Sequence, residues 1–222
     1  MGSTIRLKAA DGHGFSAYRA GPDGAARGLV VAQEIFGVNT HIRRVCDAFA
    51  ASGYAVIAPA LFDRAEAGVE LGYTAEDVVR GRELRARVPE AGVLADIEAA
   101  SGALGDRPLG IIGYCWGGTL AWWGATRTSR FKAAVGWYGA GIAPTRTEVP
   151  SCPVQLHFGE QDASIPLTDI ELIRQAQPDV EIFVYPGAQH GFGCDERASY
   201  SKPDAELAQQ RSLAFFGRLL LK

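Results

Sequence analysis

Two periods of apolar and polar positions run through the chain. Residues 4–9 and 14–20 alternate loosely at period two around Asp11-Gly12-His13-Gly14, which predicts a hairpin at a sheet edge with His13 as a solvated turn residue. Residues 28–33 form a continuous apolar run, the pattern of a strand covered on both faces, and it ends in the loop Glu34-Ile35-Phe36-Gly37-Val38-Asn39. From Thr40 the spacing of Ile42, Val45, Cys46, Phe49 and Ala50 predicts a helix that Gly53 stops. Residues 54–58 predict a strand closed by Pro59. The mixed charges of 62–88 read as a solvated helix, and 92–103 as a helix leading into a strand at Leu109. Further strands are expected at 131–138, 154–158 and 180–185, with a C-terminal helix over 203–221 whose first turn suits Pro203. This β, α, β, α alternation predicts an α/β fold with a mostly parallel central sheet and helices on both faces.

One stretch organises the rest. The apolar run from Leu109 ends in Gly113-Tyr114-Cys115-Trp116-Gly117-Gly118, and Thr119 to Ala125 continues at helical spacing. Strand, abrupt glycine-flanked turn and helix make the shape of a nucleophile elbow with Cys at the nucleophile position. On its own, such a turn also suits an incidental buried thiol. Its partners decide the matter. The strand ending in Gly159 runs into Asp162, and the strand ending in Tyr185 runs into His190. In a parallel sheet both would share the sheet edge of Cys115, and the order nucleophile, acid, histidine is that of an α/β-hydrolase triad. His157 falls inside a predicted strand and reads as packed there, and His41 sits at a helix start. Cys46 and Cys152 read as small core residues.

Composition narrows the partners. The 222 residues suit one domain over 1–222, and 47% hydrophobic and 21% charged residues with a net charge of -3 describe an ordinary soluble globule. No basic patch invites nucleic acid, no apolar run approaches a bilayer span, and the N-terminus lacks a signal-peptide core. A cytoplasmic monomer or weak homo-oligomer acting on small molecules is the expectation. The four cysteines show neither CxxC nor metal spacing, so reduced thiols are expected, and no metal or organic cofactor is called for.

Carried by Gln33 to Asn39, Gly113 to Gly118, Gly159 to Asp162 and Gly187 to Phe192, the sequence resembles the dienelactone hydrolase family, a branch of the α/β hydrolases that uses Cys, His and Asp. The resemblance covers nearly the whole chain. It implies opening of an enol lactone in bacterial aromatic breakdown, with Cys115 as nucleophile, His190 as base and Asp162 as its orienting partner. It also implies an oxyanion hole from the backbone N–H groups of Trp116 and Ile35. Glu34 would gate the thiol, and Phe36, Trp116, Phe192, Arg80 and Arg82 would contact substrate. One departure stands out. The family's dienelactone enzymes hold the substrate carboxylate with two arginines, the second four residues after the catalytic His, where this chain has Cys194; Arg197 lies nearby.

The expected reaction is acyl transfer through a thioester, with dienelactone, 4-carboxymethylenebut-2-en-4-olide, as the leading substrate and maleylacetate as its product. A broad carboxylesterase acting on neutral esters is the second reading, and a thiol-based redox protein or a non-catalytic binding module on the same scaffold the third.

Overall fold

The computed structural model describes residues 2–220, and the chain divides into two compact units, 2–109 and 110–220. In the first, β1 (Ser3–Lys8) and β2 (Gly14–Ala20) form the expected hairpin, with Lys8 opposite Gly14. β3 (Gly28–Ala32) is parallel to β4 (Ala55–Pro59), β2 is antiparallel to β4, and the order is β1-β2-β4-β3. Every residue of β3 and β4 is buried, which is what their unbroken apolar runs require. α1 (Thr40–Ala51) begins where Asn39 Oδ1 accepts the Ile42 N–H at 3.2 Å, and it buries Ile42, Cys46 and Phe49. Gly53, at φ +89°, stops it as expected.

The charged stretch is less helical than its charges predict. Leu61–Arg64 forms a single 3₁₀ turn, and α2 is confined to Ala75–Arg87. Its start is a capping box, with Thr74 Oγ1 accepting the Asp77 N–H and Asp77 accepting the Thr74 N–H. Gly68, at φ +74°, breaks any earlier helix, and the following residues lie along the loop after β3 instead. Leu71 N–H donates to Phe36 O there at 2.9 Å. Gly37 at φ +81° has no room for a side chain, since a Cβ would sit 2.1 Å from Val69 O. α3 (Glu90–Gly102) presents the buried Asp96 to Arg64, which donates to both carboxylate oxygens at 2.7 and 2.8 Å.

β5 (Leu109–Tyr114) leads into the second unit, followed by α4 (Trp116–Arg127), β6 (Ala133–Trp137), β7 (Val154–Gly159), α5 (Leu167–Ala176), β8 (Glu181–Tyr185) and α6 (Lys202–Leu219). Here the order β5-β6-β7-β8 is parallel throughout. β6 stops one residue short of the expected Tyr138, because that residue adopts φ +40°. α5 is not anticipated by periodicity: only Ile170 and Ile173 face inward, too few to mark a helical stripe. The expected end of the last helix at Leu221 lies outside the described residues. No helix among the described residues is long and apolar enough to cross a membrane.

Candidate active site

A parallel sheet carries the C-terminal ends of its strands to one edge, where α/β proteins bind ligands. In the second unit, β5 delivers Cys115 to that edge. The chain turns there at φ +55° and ψ -116°, a conformation a non-glycine residue adopts only when its surroundings impose it, at a cost of roughly 1–3 kcal/mol. The glycines make the turn possible. A Cβ on Gly113 would lie 1.9 Å from Gly117 O, and one on Gly118 would lie 2.4 Å from Trp137 O. Cys115 N–H donates to Trp137 O at 3.0 Å, which ties the turn at Cys115 to the end of β6. Cys115 is also the N-cap of α4, so its sulfur meets the positive end of a twelve-residue helix.

β7 and β8 deliver the other two groups, and their loops are laced together. Glu160 N–H donates to Tyr185 O at 3.0 Å, Gln161 N–H to Ala188 O at 2.8 Å and Gly187 N–H to Glu160 Oε2 at 3.0 Å. Gly159 lets them close, since a Cβ there would be 2.4 Å from Ala188 O. Asp162, its side chain fully buried, accepts the Ser164 N–H on Oδ1 at 2.8 Å and faces His190 Nδ1 with Oδ2 at 2.7 Å. His190 Nε2 lies 3.2 Å from Cys115 Sγ. Because Asp162 fixes the proton on Nδ1, Nε2 is the atom free to exchange a proton with sulfur.

Electrostatics favour the protonated imidazole. Burial, the largest single influence, pushes the His190 imidazole down, but its hydrogen bonds to Asp162 and Cys115 and their negative charges together outweigh it and carry it up to about 10. The loop bearing His190 is held from below. Ser199 Oγ donates to His190 O at 2.7 Å, and Phe192 is fully buried, stacked 5.5 Å from Trp137. Tyr138 meets the His190 ring at 5.1 Å and 62°.

Residues 15–220 match the family model described as "Dienelactone hydrolase family". The chain belongs to the dienelactone hydrolase family. It is 41% identical over 208 residues to a protein of Synechocystis sp. named as a candidate carboxymethylenebutenolidase, covering 85% of this chain and 84% of that one. It is 34% identical over 234 residues to the carboxymethylenebutenolidase of Pseudomonas putida, covering 98% and 97%. A crystal structure from Klebsiella pneumoniae subsp. pneumoniae, titled as a candidate dienelactone hydrolase, superposes with a TM-score of 0.83 at 36% identity over 97% of this chain and 99% of that one. The fold is therefore the α/β hydrolase fold of dienelactone hydrolases, and the chain is a hydrolase acting on carboxylic ester bonds.

The other dienelactone hydrolase motif, in the first unit, is equally ordered. Glu34 is fully buried and accepts the Tyr73 hydroxyl at 2.9 Å, while Asn39 Nδ2 donates to that hydroxyl at 3.2 Å. Phe36 packs on Tyr73 at 4.6 Å. Ile35 is buried against α2, where a Cβ on Gly81 would lie 2.0 Å from Ile35 O. On α2, Arg80 is engaged by Glu66 and, at 3.5 Å, by Glu83, and Arg82 is exposed. In the second unit Trp116 opens α4 and is buried, as is Cys194, and the Arg197 guanidinium lies over Gly191, where a Cβ would be 2.5 Å from Nη1. His157 is packed, as its strand position predicts: Nδ1 lies 2.8 Å from Tyr185 Oη and Nε2 2.9 Å from Gln155 Oε1.

Sequence reasoning passed over Tyr73, Ser164, Ser199 and Tyr138. Ser164 follows Asp162 at the offset of an Asx turn and was open to discovery on that ground. A tyrosine at positive φ carries no such signal.

Proposed function

We propose that this chain hydrolyses an enol lactone or activated ester through a Cys115–His190–Asp162 triad. The approach of His190 Nε2 to Cys115 Sγ at 3.2 Å, with Nδ1 held by Asp162 at 2.7 Å, carries the reading. The Cys115 thiolate attacks the carbonyl carbon, and the oxyanion of the tetrahedral adduct is met by the Trp116 N–H at the head of α4. The adduct collapses by breaking the bond to the leaving oxygen, which takes its proton from His190 Nε2 and leaves a thioester on Cys115. In a lactone that leaving group stays on the same molecule. Neutral His190 then takes a proton from water, the hydroxide adds to the thioester, and Cys115 leaves as thiolate with the proton retained on His190. The motif resemblance adds Ile35 N–H as second oxyanion donor and Glu34 as gate of the thiol; unchanged turnover and pH profile in Glu34→Gln would remove the gating role.

The substrate we favour is dienelactone, yielding maleylacetate, following the names of the relatives. A neutral ester is the second reading. It gains from Cys194 standing where the family's second arginine is expected and from the pairing of Arg80 with Glu66 and Glu83. Kinetics on cis- and trans-dienelactone beside p-nitrophenyl acetate separate the two, with Arg80→Ala and Arg82→Ala telling whether either cation selects the anionic lactone. Loss of turnover on every substrate in Cys115→Ala and in His190→Ala is the expected result, and turnover surviving in either sinks the triad.

A further inference from the structure

We infer that Tyr138 is a positioning residue for this reaction: its strained backbone sets its buried ring against His190 and so keeps the imidazole within reach of Cys115. The inference rests on the triad reading above. Among the described residues, Cys115 and Tyr138 are the non-glycine positions with positive φ, +55° and +40°. The first is the nucleophile turn. The second has no glycine, Asn or Asp to ease it, and such strain persists only where the surroundings over-determine the conformation.

Those surroundings are on both sides of the site. On the nucleophile side, Trp137 O accepts the Cys115 N–H at 3.0 Å, and Gly139 abuts the first turn of α4 so closely that a Cβ would sit 2.7 Å from Thr119 N. Tyr138 N–H is pinned to His157 O at 2.8 Å. On the base side, the fully buried Tyr138 ring meets His190 edge-on at 5.1 Å and Phe192 at 5.5 Å. The His190 loop can settle on that ring because Gly193 has no side chain, where a Cβ would be 3.3 Å from Tyr138 Oη and 2.6 Å from the Trp137 ring. Side chains along a strand alternate between faces, so a residue continuing β6 in extended conformation would be directed by that alternation alone. The left-handed turn at 138 ends the strand and sets the ring against the base instead. One residue thus bridges the anchor of the nucleophile and the ring of the base.

The test separates ring, strain and triad. Tyr138→Asn tolerates left-handed φ but removes the ring, and Tyr138→Phe keeps the ring. Turnover of p-nitrophenyl acetate and the pH dependence of Cys115 alkylation by iodoacetamide are measured on each, with circular dichroism to verify folding. Tyr138→Asn is expected to lose kcat by about 10- to 100-fold with KM unchanged, and its alkylation profile moves to higher pH as the protonated imidazole loses its fixed approach to sulfur. Tyr138→Phe restores most of both. A folded Tyr138→Asn with wild-type kcat and alkylation profile overturns the inference; if that chain does not fold, Tyr138→Leu is read by the same two criteria. Cys115→Ala runs alongside. Activity surviving there defeats the triad itself, whereas activity lost there but kept in the Tyr138 variants defeats only the positioning role.

Discussion

Asp162 Oδ2 lies 2.7 Å from His190 Nδ1, and this contact is among the forces that carry the imidazole up to about 10 against the opposing pull of burial. The raised value has a definite sign. In the proposed triad, His190 is protonated below it and supplies the proton to the leaving oxygen; as pH rises through it, that proton is lost and the proposed acylation falls. The alkaline limb of kcat/KM is therefore expected far above the ordinary imidazole value of about 6.5. Asp162→Asn removes a raising influence and the tautomer lock together, so it should move the limb to lower pH and cut kcat by about 10³-fold or more. A pH series on p-nitrophenyl acetate checks both, and an unmoved limb would show that Asp162 does not govern His190.

Two kinds of glycine should respond oppositely to alanine. At Gly113 the added methyl would meet backbone, Gly117 O at 1.9 Å, with no flexible side chain to give way, so Gly113→Ala is expected to destabilise the chain by about 1–3 kcal/mol or more and to abolish turnover. Gly217, inside α6, has nothing within 4 Å of its would-be Cβ. Gly217→Ala should instead gain about 0.5–1 kcal/mol from helix propensity and reduced unfolded-chain entropy. Urea unfolding of both variants reads the contrast.

The difference between these glycines also explains what the sequence disclosed. Gly113, Gly117 and Gly118 flank a strand-to-helix turn in a pattern that only close backbone approach explains, and Asp162 and His190 follow later strands in chain order, so the cluster of three could be assembled from spacing. The hairpin, β3, β4 and α1 followed from periods of two and 3.6 in the same way. Elsewhere the determinants are not periodic. The charge pattern over 62–88 does not encode the left-handed turn at Gly68 that confines α2 to Ala75–Arg87. Tyr138 reads as the last residue of a strand, because nothing in its chemistry announces φ +40°. Gly139 and Gly193 leave room for the close approaches around it, and strand periodicity does not register such approaches.

In the first unit, the Arg64–Asp96 pair makes a stability prediction independent of catalysis. The Asp96 side chain is fully buried, and burial is the leading influence raising its carboxyl above the usual range, while Arg64 opposes it with two hydrogen bonds. Arg64 also reaches Asp11 at 2.8 Å. Arg64→Ala would leave the buried carboxylate without its cation, at a cost of about 3–5 kcal/mol. Gly92 belongs to the same arrangement, since a Cβ there would press on Arg64 Nε at 2.7 Å. Arg64→Lys, which cannot reproduce the two-pronged contact, should recover only part of the loss in thermal unfolding.

His157 predicts the acid side of the stability curve. Gln155 Nε2 donates to Glu181 Oε2 at 2.8 Å, which turns Gln155 Oε1 toward His157 Nε2–H and leaves Nδ1 to accept from Tyr185 Oη. Burial, with the Arg211 cation adding to it, pushes this imidazole down to about 3, so it stays neutral in the folded chain through most of the acid range. Unfolded, it takes up a proton near 6.5. Between those two values the unfolded state binds the additional proton, and folding stability falls as pH drops, by up to about 1.4 kcal/mol per pH unit from this group alone. Above 6.5 the group is neutral in both states and contributes no slope. The His157 share of the urea midpoints measured from pH 8 to pH 4 should therefore hold level and then descend, so His157→Gln, whatever its cost at pH 8, should descend less steeply below pH 6.5 than the unchanged chain. An equal slope in the two proteins would assign the acid loss to other groups.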